Sequence, residues 1–254
     1  MSDGALAADL KSLARAAGEA TLRHYGSPET RAAVAWKGDA GPVTQADRDA
    51  HGVIVAGLPD IAPGVPVLSE EGEIPPYEAR RHWTRFWLVD PLDGTKEFTN
   101  GVGEFTVNIA LIDNGAPVLG VVFAPVLDLL YFAAAGGGTW RETGGAPPER
   151  VFSRERREND GYVVVESRSH PSAELETFLS TIPVAERVKA GSSLKFCWLA
   201  DGRADVYPRL GPTMEWDVAA GDIVYRESAR HGRHASPFVY NKPDLRNPSF
   251  ILGQ

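Results

Sequence analysis

The sequence predicts a layered α+β protein. Apolar runs of strand length occur in both halves of the chain, segments of helical character lie between them, and 254 residues suffice to bury a substantial core. In chain order, Leu6, Leu10, Leu13, Ala17 and Thr21 recur at helical spacing and predict a helix from Leu6 to Tyr25, closed by Gly26 and Pro28. A second helix is expected from Thr44 to about Leu58, where Pro59 stops it. The runs Val65–Leu68 and Phe86–Val89 read as strands, the first delivering Ser69-Glu70-Glu71 and the second Asp90. Thr106–Ile112, Val118–Ala124 and Leu129–Ala134 read as a meander broken by Asp113-Asn114-Gly115 and by Pro125. From Ala135 to Asp160 a glycine run and a polar, proline-containing stretch predict a boundary or an exposed excursion. Beyond it come a strand at Tyr162–Val165, helices near Ala173–Ser180 and Ser193–Ala200, a strand at Ala204–Tyr207 and a helix at Val218–Arg226.

Composition narrows the function. A net charge of −8 argues against a nucleic-acid polymer as partner, although bound cations can invert the field locally and admit a small anion. Cys197 is the single cysteine, so the chain forms no internal disulfide and no thiolate zinc cluster, which fits a reducing cytoplasm. The opening MSDGALAADLKSL lacks a basic stretch followed by an apolar one, and Val118–Ala135 is interrupted by Pro125 and Asp128. No signal peptide and no membrane span are expected.

The chemistry concentrates in carboxylates. In Trp87-Leu88-Val89-Asp90-Pro91-Leu92-Asp93-Gly94-Thr95 a buried strand is expected to end at Asp90, Pro91 to force a turn, and Asp93 to follow three residues later. Two carboxylates this close repel unless a cation lies between them, and Mg²⁺ takes such oxygen ligands while keeping waters that a phosphate can replace. The Leu92 carbonyl is a candidate extra ligand, and Gly94 frees backbone amides to approach an anion. Turn chemistry alone explains some such segments. Ser69-Glu70-Glu71-Gly72 places acids at a second strand end, where a solvated loop is the plain alternative. In Trp216-Asp217-Val218-Ala219-Ala220-Gly221 the plain reading of Asp217 is a helix cap, while the small Ala-Ala-Gly surface also lets a phosphate approach. A haloacid-dehalogenase arrangement is rejected, because two residues rather than one separate Asp90 from Asp93 and about 85 precede them.

Taken together, Lys37, Pro42-Val43-Thr44-Gln45-Ala46-Asp47, Ser69-Glu70-Glu71-Gly72, Asp90-Pro91-Leu92-Asp93-Gly94-Thr95 and Trp216-Asp217-Val218-Ala219-Ala220-Gly221 resemble, in order, the inositol-monophosphatase-like superfamily of metal-dependent, lithium-sensitive phosphatases. The resemblance implies an α-β-α-β-α sandwich using two or more Mg²⁺ ions. Glu70, Asp90 and the Leu92 carbonyl would hold one ion, and Asp90, Asp93 and Asp217 the second. Thr95, with Asp47 behind it, would orient the attacking water, and the Gly94 and Thr95 amides would receive the phosphate. Asp47 also suits a capping box opened by Thr44. Residues 1–150 would form the metal-binding part and residues 151–254 would complete one continuous catalytic unit.

Within that superfamily, Lys96-Glu97-Phe98, Gly103-Glu104-Phe105-Thr106-Val107-Asn108-Ile109-Ala110 and Ala190-Gly191-Ser192-Ser193-Leu194-Lys195-Phe196-Cys197 are similar to the 3′(2′),5′-bisphosphate nucleotidase branch. Inositol monophosphatases commonly carry a small residue where Lys195 stands and a carboxylate where Arg209 stands. Ser192, Lys195 and Arg209 suit a handle phosphate on a small phosphorylated nucleotide. The implied reaction takes adenosine 3′,5′-bisphosphate to AMP and phosphate in sulfur assimilation; His170 is a further candidate at the nucleotide end, although a surface histidine on a strand-to-helix turn is its plainer reading. The alternatives are an inositol or sugar phosphatase on the same fold and, more remotely, a non-catalytic metal- and anion-binding regulator. A regulator would be expected to have lost a ligand or Thr95, and none is missing. One stretch departs from the family: Ser228-Ala229-Arg230-His231-Gly232-Arg233 stands where relatives carry Ala-Gly-Gly and a longer loop.

Overall fold

The computed structural model describes residues 3–27, 35–36, 42–156, 160–169 and 173–253; Lys37 and His170 lie outside them. The chain begins with helix α1 (Asp3–Leu22), a short antiparallel pair β1 (Ala35–Trp36) and β2 (Pro42–Val43), and helix α2 (Gln45–Ile61). Next come β3 (Val67–Ser69), α3 (Tyr77–Arg80), β4 (Arg85–Asp93), α4 (Thr95–Thr99), β5 (Thr106–Asp113) and β6 (Ala116–Ala124). The strands β7 (Leu129–Ala134), β8 (Gly138–Thr143) and β9 (Glu149–Val151) complete a seven-stranded sheet in sequential order, parallel at β3–β4 and antiparallel elsewhere. The second half comprises β10 (Tyr162–Ser167), α5 (Ala173–Leu179), β11 (Val184–Ala190), α6 (Leu194–Ala200), β12 (Val206–Arg209), β13 (Thr213–Met214), α7 (Glu215–Arg226), β14 (Arg246–Asn247) and β15 (Phe250–Gly253). Its four-stranded sheet runs β11-β10-β12-β15. No described helix is long and apolar enough to cross a membrane.

The layers follow from which faces are apolar. Along β5, Val107, Ile109 and Leu111 face Leu10, Ala14, Ile54 and Leu58 of α1 and α2, while Ala110 and Ile112 face α6 and α7. Both faces are covered, so the strand reads as one apolar run rather than an alternation. On the far side of the small sheet, Leu175 and Leu179 of α5 cover Val164. The order is therefore helix, sheet, helix, sheet, helix, as expected.

Several local expectations need correction. Strand β4 does not end at Asp90; it continues through Pro91 and Leu92 to Asp93, and a bulge absorbs the proline, which has no N–H for the ladder. Pro59 lies inside α2 rather than ending it, within the last turn, where one lost N–H costs little. The stretch from Ala135 to Asp160 is not simply an excursion, because β8 and β9 extend the large sheet there. Strand β11 was missed; it lies at the sheet edge, mostly exposed and carrying Glu186, Arg187 and Lys189. Helix α7 starts at Glu215, three residues before Val218, so Asp217 is its third residue and not its cap.

Helix α7 sits unusually close to the sheet, and Gly120 is the reason. A Cβ at Gly120 would lie 2.5 Å from Ile223 Cγ2 and 3.1 Å from the Ala220 carbonyl, so the helix backbone rests where a side chain would stand. Gly120→Ala is expected to destabilise the protein by about 1–3 kcal/mol through overpacking. Thermal melts check this, and an unchanged Tm would mean that α7 gives way freely.

Candidate active site

Three elements converge on one group of acids. Strand β3 pairs in parallel with β4 so that Ser69 faces Val89, and the Glu70 amide donates to the Val89 carbonyl at 3.1 Å. That places Glu70 beside Asp90. Asp90 follows Phe86 and Leu88 in the two-residue alternation, on the face toward α7. Asp93 would fall on the opposite face of a regular strand. The register prevents this: Asp90 pairs with Asn108 and Asp93 with Thr106, so three residues on β4 span two on β5. The bulge turns Asp93 toward the same site. From the other side α7 supplies Asp217, whose Oδ2 accepts the Met214 amide at 2.8 Å. One carboxylate oxygen each from Glu70, Asp90 and Asp217 lie within 4.8 Å of one another. Asp93 borders this trio rather than joining it. Leu92 buries its side chain with Ala46, Phe98 and Phe105, so it can offer the site only its main chain.

Like charges dominate the electrostatics. Burial first, then the charge of Asp217, holds the Glu70 carboxyl up at about 8. Burial and the Glu70 charge raise Asp90 well above the usual carboxylate range. Burial and Asp93 raise Asp217 to about 7, despite the opposing hydrogen bond from Met214. Two ionised groups 4.8 Å apart repel by on the order of 3 kcal/mol at an effective dielectric of 20. Among the described residues no lysine or arginine pairs with any of the four acids. An all-oxygen donor set without a direct ion-pair partner fits a hard divalent cation such as Mg²⁺, with Glu70, Asp90, Asp93 and Asp217 as the side chains that would hold it.

Glu70, Asp93 and Asp217 open onto a cleft of about 210 Å³, whose lining does not include Asp90. Of the residues singled out from sequence, Glu70, Asp93, Gly94, Thr95, Ser192, Lys195, Arg209 and Asp217 line it. Gly94 adopts a left-handed conformation (φ 91°) at the start of α4, where a β-carbon would meet Ser192 Cβ at 3.3 Å. Lys195, in the first turn of α6, is 5% exposed; its ammonium donates to the Ser192 carbonyl and lies 5.6 Å from the Tyr207 ring centroid. Burial lowers its pKa to about 8. Arg209 donates through Nη2 to the Pro212 carbonyl at 3.2 Å, while its Nε is buried with no partner.

Asp47 stands apart from the cleft lining. It completes the capping box of α2, with Oδ2 accepting the Thr44 amide at 2.8 Å and the Thr44 hydroxyl at 2.6 Å. Burial raises its pKa to about 6. No hydrogen bond joins it to Thr95 among the described residues, although Ala46 of the same turn packs against Leu92. Sequence reasoning missed Asn108, Ser193, Tyr207 and Thr213. Asn108 did carry a signal, as a lone amide inside the apolar run Val107–Ile112.

Residues 5–238 match the inositol monophosphatase family, and the chain belongs to it. It is 47% identical over 241 residues to the 3′(2′),5′-bisphosphate nucleotidase CysQ of Shigella flexneri, covering 94% of this chain and 95% of that protein. The CysQ protein of Escherichia coli K12 gives the same figures. Among solved structures, CysQ of Bacteroides thetaiotaomicron superposes with a TM-score of 0.80 at 41% identity, covering 98% of this chain and 96% of the other. The suhB extragenic suppressor protein of Bartonella henselae gives 0.75 at 30%, covering 88% and 85%.

The raised acids tie stability to pH. Unfolded carboxylates titrate near pH 4, so between about pH 4 and 8 the metal-free folded state binds more protons than the unfolded one. Stability of the metal-free protein therefore falls as pH rises through that window. A divalent ion at about 100 times its Kd should add about 2.7 kcal/mol where the acids are ionised and flatten the slope. Melts with EDTA and with Mg²⁺ across this range check the sign; an upward slope in EDTA would contradict it.

Proposed function

We propose that this chain is a magnesium-dependent 3′(2′),5′-bisphosphate nucleotidase, converting adenosine 3′,5′-bisphosphate and water to AMP and phosphate. The observation that carries this reading is one cleft that combines an all-oxygen acid cluster with the cations Lys195 and Arg209. A substrate with two phosphates uses both features, and a sugar with one phosphate uses only the first. The relatives named CysQ carry the same activity in their name.

Glu70, Asp90 and the Leu92 carbonyl would hold one Mg²⁺, and Asp90, Asp93 and Asp217 the second. Bound there, the ions supply a water of lowered pKa and neutralise charge on the phosphate, so no covalent enzyme intermediate is needed. The chain's own groups then orient the reaction. The Gly94 and Thr95 amides receive the reacting phosphate, and the Thr95 hydroxyl positions the attacking water. Both Thr44 donors use Asp47 Oδ2, so Oδ1 is the oxygen that would accept from the Thr95 hydroxyl. Ser192, Lys195 and Arg209 hold the handle phosphate. The orphaned Arg209 Nε supports that role, because a buried donor without a partner costs about 1–3 kcal/mol until a ligand satisfies it. The same reading includes lithium sensitivity, a cytoplasmic setting and a place in sulfur assimilation.

Hydrolysis of adenosine 3′,5′-bisphosphate and inositol 1-phosphate, compared at one magnesium concentration, tests the assignment; the nucleotide should be preferred. Arg209→Glu should cost about 1.5–3 kcal/mol in kcat/KM for the nucleotide and far less for inositol 1-phosphate. Equal losses would make Arg209 a support of the fold.

A further inference from the structure

The seam between the two halves carries a hydrogen-bond relay that the proposed chemistry does not use directly. The Ser193 hydroxyl lies 3.0 Å from Asp93 Oδ2 and 2.8 Å from the main-chain carbonyl of Asp217. It also accepts from Asn108 Nδ2 at 3.0 Å. Asn108 reaches Asp93 Oδ2 as well, at 3.4 Å. Ser193 is 1% exposed and Asn108 is likewise buried. The Ser193 hydroxyl accepts from Asn108 and directs its single proton at Asp93 or at the Asp217 carbonyl, so it has no proton left to donate to a phosphate.

We propose that Ser193, backed by Asn108, is a positioning residue that fixes Asp93 against Asp217 so that the two can bind one divalent ion together. This rests on the reading of Asp93 and Asp217 as shared ligands. Asp93 comes from the bulge of β4 and Asp217 from α7, and the Ser193 hydroxyl lies within hydrogen-bond distance of both residues. Asp93 Oδ2 accepts from Ser192 at 2.9 Å and from Asn108 at 3.4 Å, and from Ser193 when its proton turns that way, which leaves Oδ1 for the cation. Groups that hold a ligand in this way typically govern metal affinity by about 10–100-fold.

Isothermal titration of the metal-free protein with Mn²⁺ tests the proposal without reference to turnover. Wild type should bind two ions. Ser193→Ala, which removes one oxygen and adds no bulk, should weaken one of them at least about tenfold and leave the other within about twofold. Asn108→Ala should weaken the same ion, and the double variant should lose less than the product of the single losses, because Asn108 acts through Ser193. Unchanged Mn²⁺ affinity in folded Ser193→Ala, beside two-ion binding by wild type, overturns the inference alone. Fewer than two ions in wild type overturns the two-metal reading, and the inference with it.

Discussion

The mutual repulsion of Glu70, Asp90 and Asp217 is the constraint around which the rest of the structure is arranged. Three acids whose oxygens lie within 4.8 Å do not assemble by their own attraction, so the fold holds them from outside. Parallel pairing of β3 with β4 sets Glu70 beside Asp90. The missing side chain of Gly120 lets α7 settle onto the sheet. The first turn of α7 is clamped from the far side: Glu215 is fully buried and accepts the Asn241 amide at 2.6 Å and the Lys242 amide and ammonium at 2.8 Å each. That clamp is what the departing C-terminal segment provides here, since the loop after α7 returns to its beginning, anchored further by Arg80 to Asn241 Oδ1 at 2.7 Å.

A second set of polar contacts closes the two halves over the cleft. The loop at Gly191–Ser193 is held from the first half by the Glu104 carboxylate on the Gly191 amide at 2.8 Å, by Thr106 on Ser192 and by Asn108 on Ser193. The same loop carries Ser192 and leads into the helix of Lys195, so the contacts that close the seam also set the distance between the acid cluster and the cations. A protein of net charge −8 in this way places an acid cluster and the cations Lys195 and Arg209 along one space of about 210 Å³.

Much of this was legible in the sequence, and the failures have physical causes. The apolar runs at Phe86–Val89 and Thr106–Ile112 named the central strands because both faces are buried there. Thr44 and Asp47 announced their capping box. The bulge at Pro91 was not legible, because the proline reads equally as a turn, and only the register against Asn108 and Thr106 distinguishes the two. Strand β11, Val184–Ala190, failed because an exposed edge carries no apolar pattern. Lys195 was visible as a charge but not as a buried one, since the Tyr207 ring beside its ammonium comes from the next strand, β12. The partners of Asp93 were hidden as well: Ser192 and Ser193 reach it across about 100 residues of chain.

The central claim is that the acids of β3, β4 and α7 are held together in order to bind divalent cations. Crystals grown with Mn²⁺, with anomalous differences collected at the manganese edge, test it most directly. The account predicts two anomalous peaks, one contacting Glu70 and Asp90 and the other Asp90, Asp93 and Asp217. No peak at these carboxylates, with the cluster instead neutralised by protons or by a lysine or arginine side chain, would contradict it.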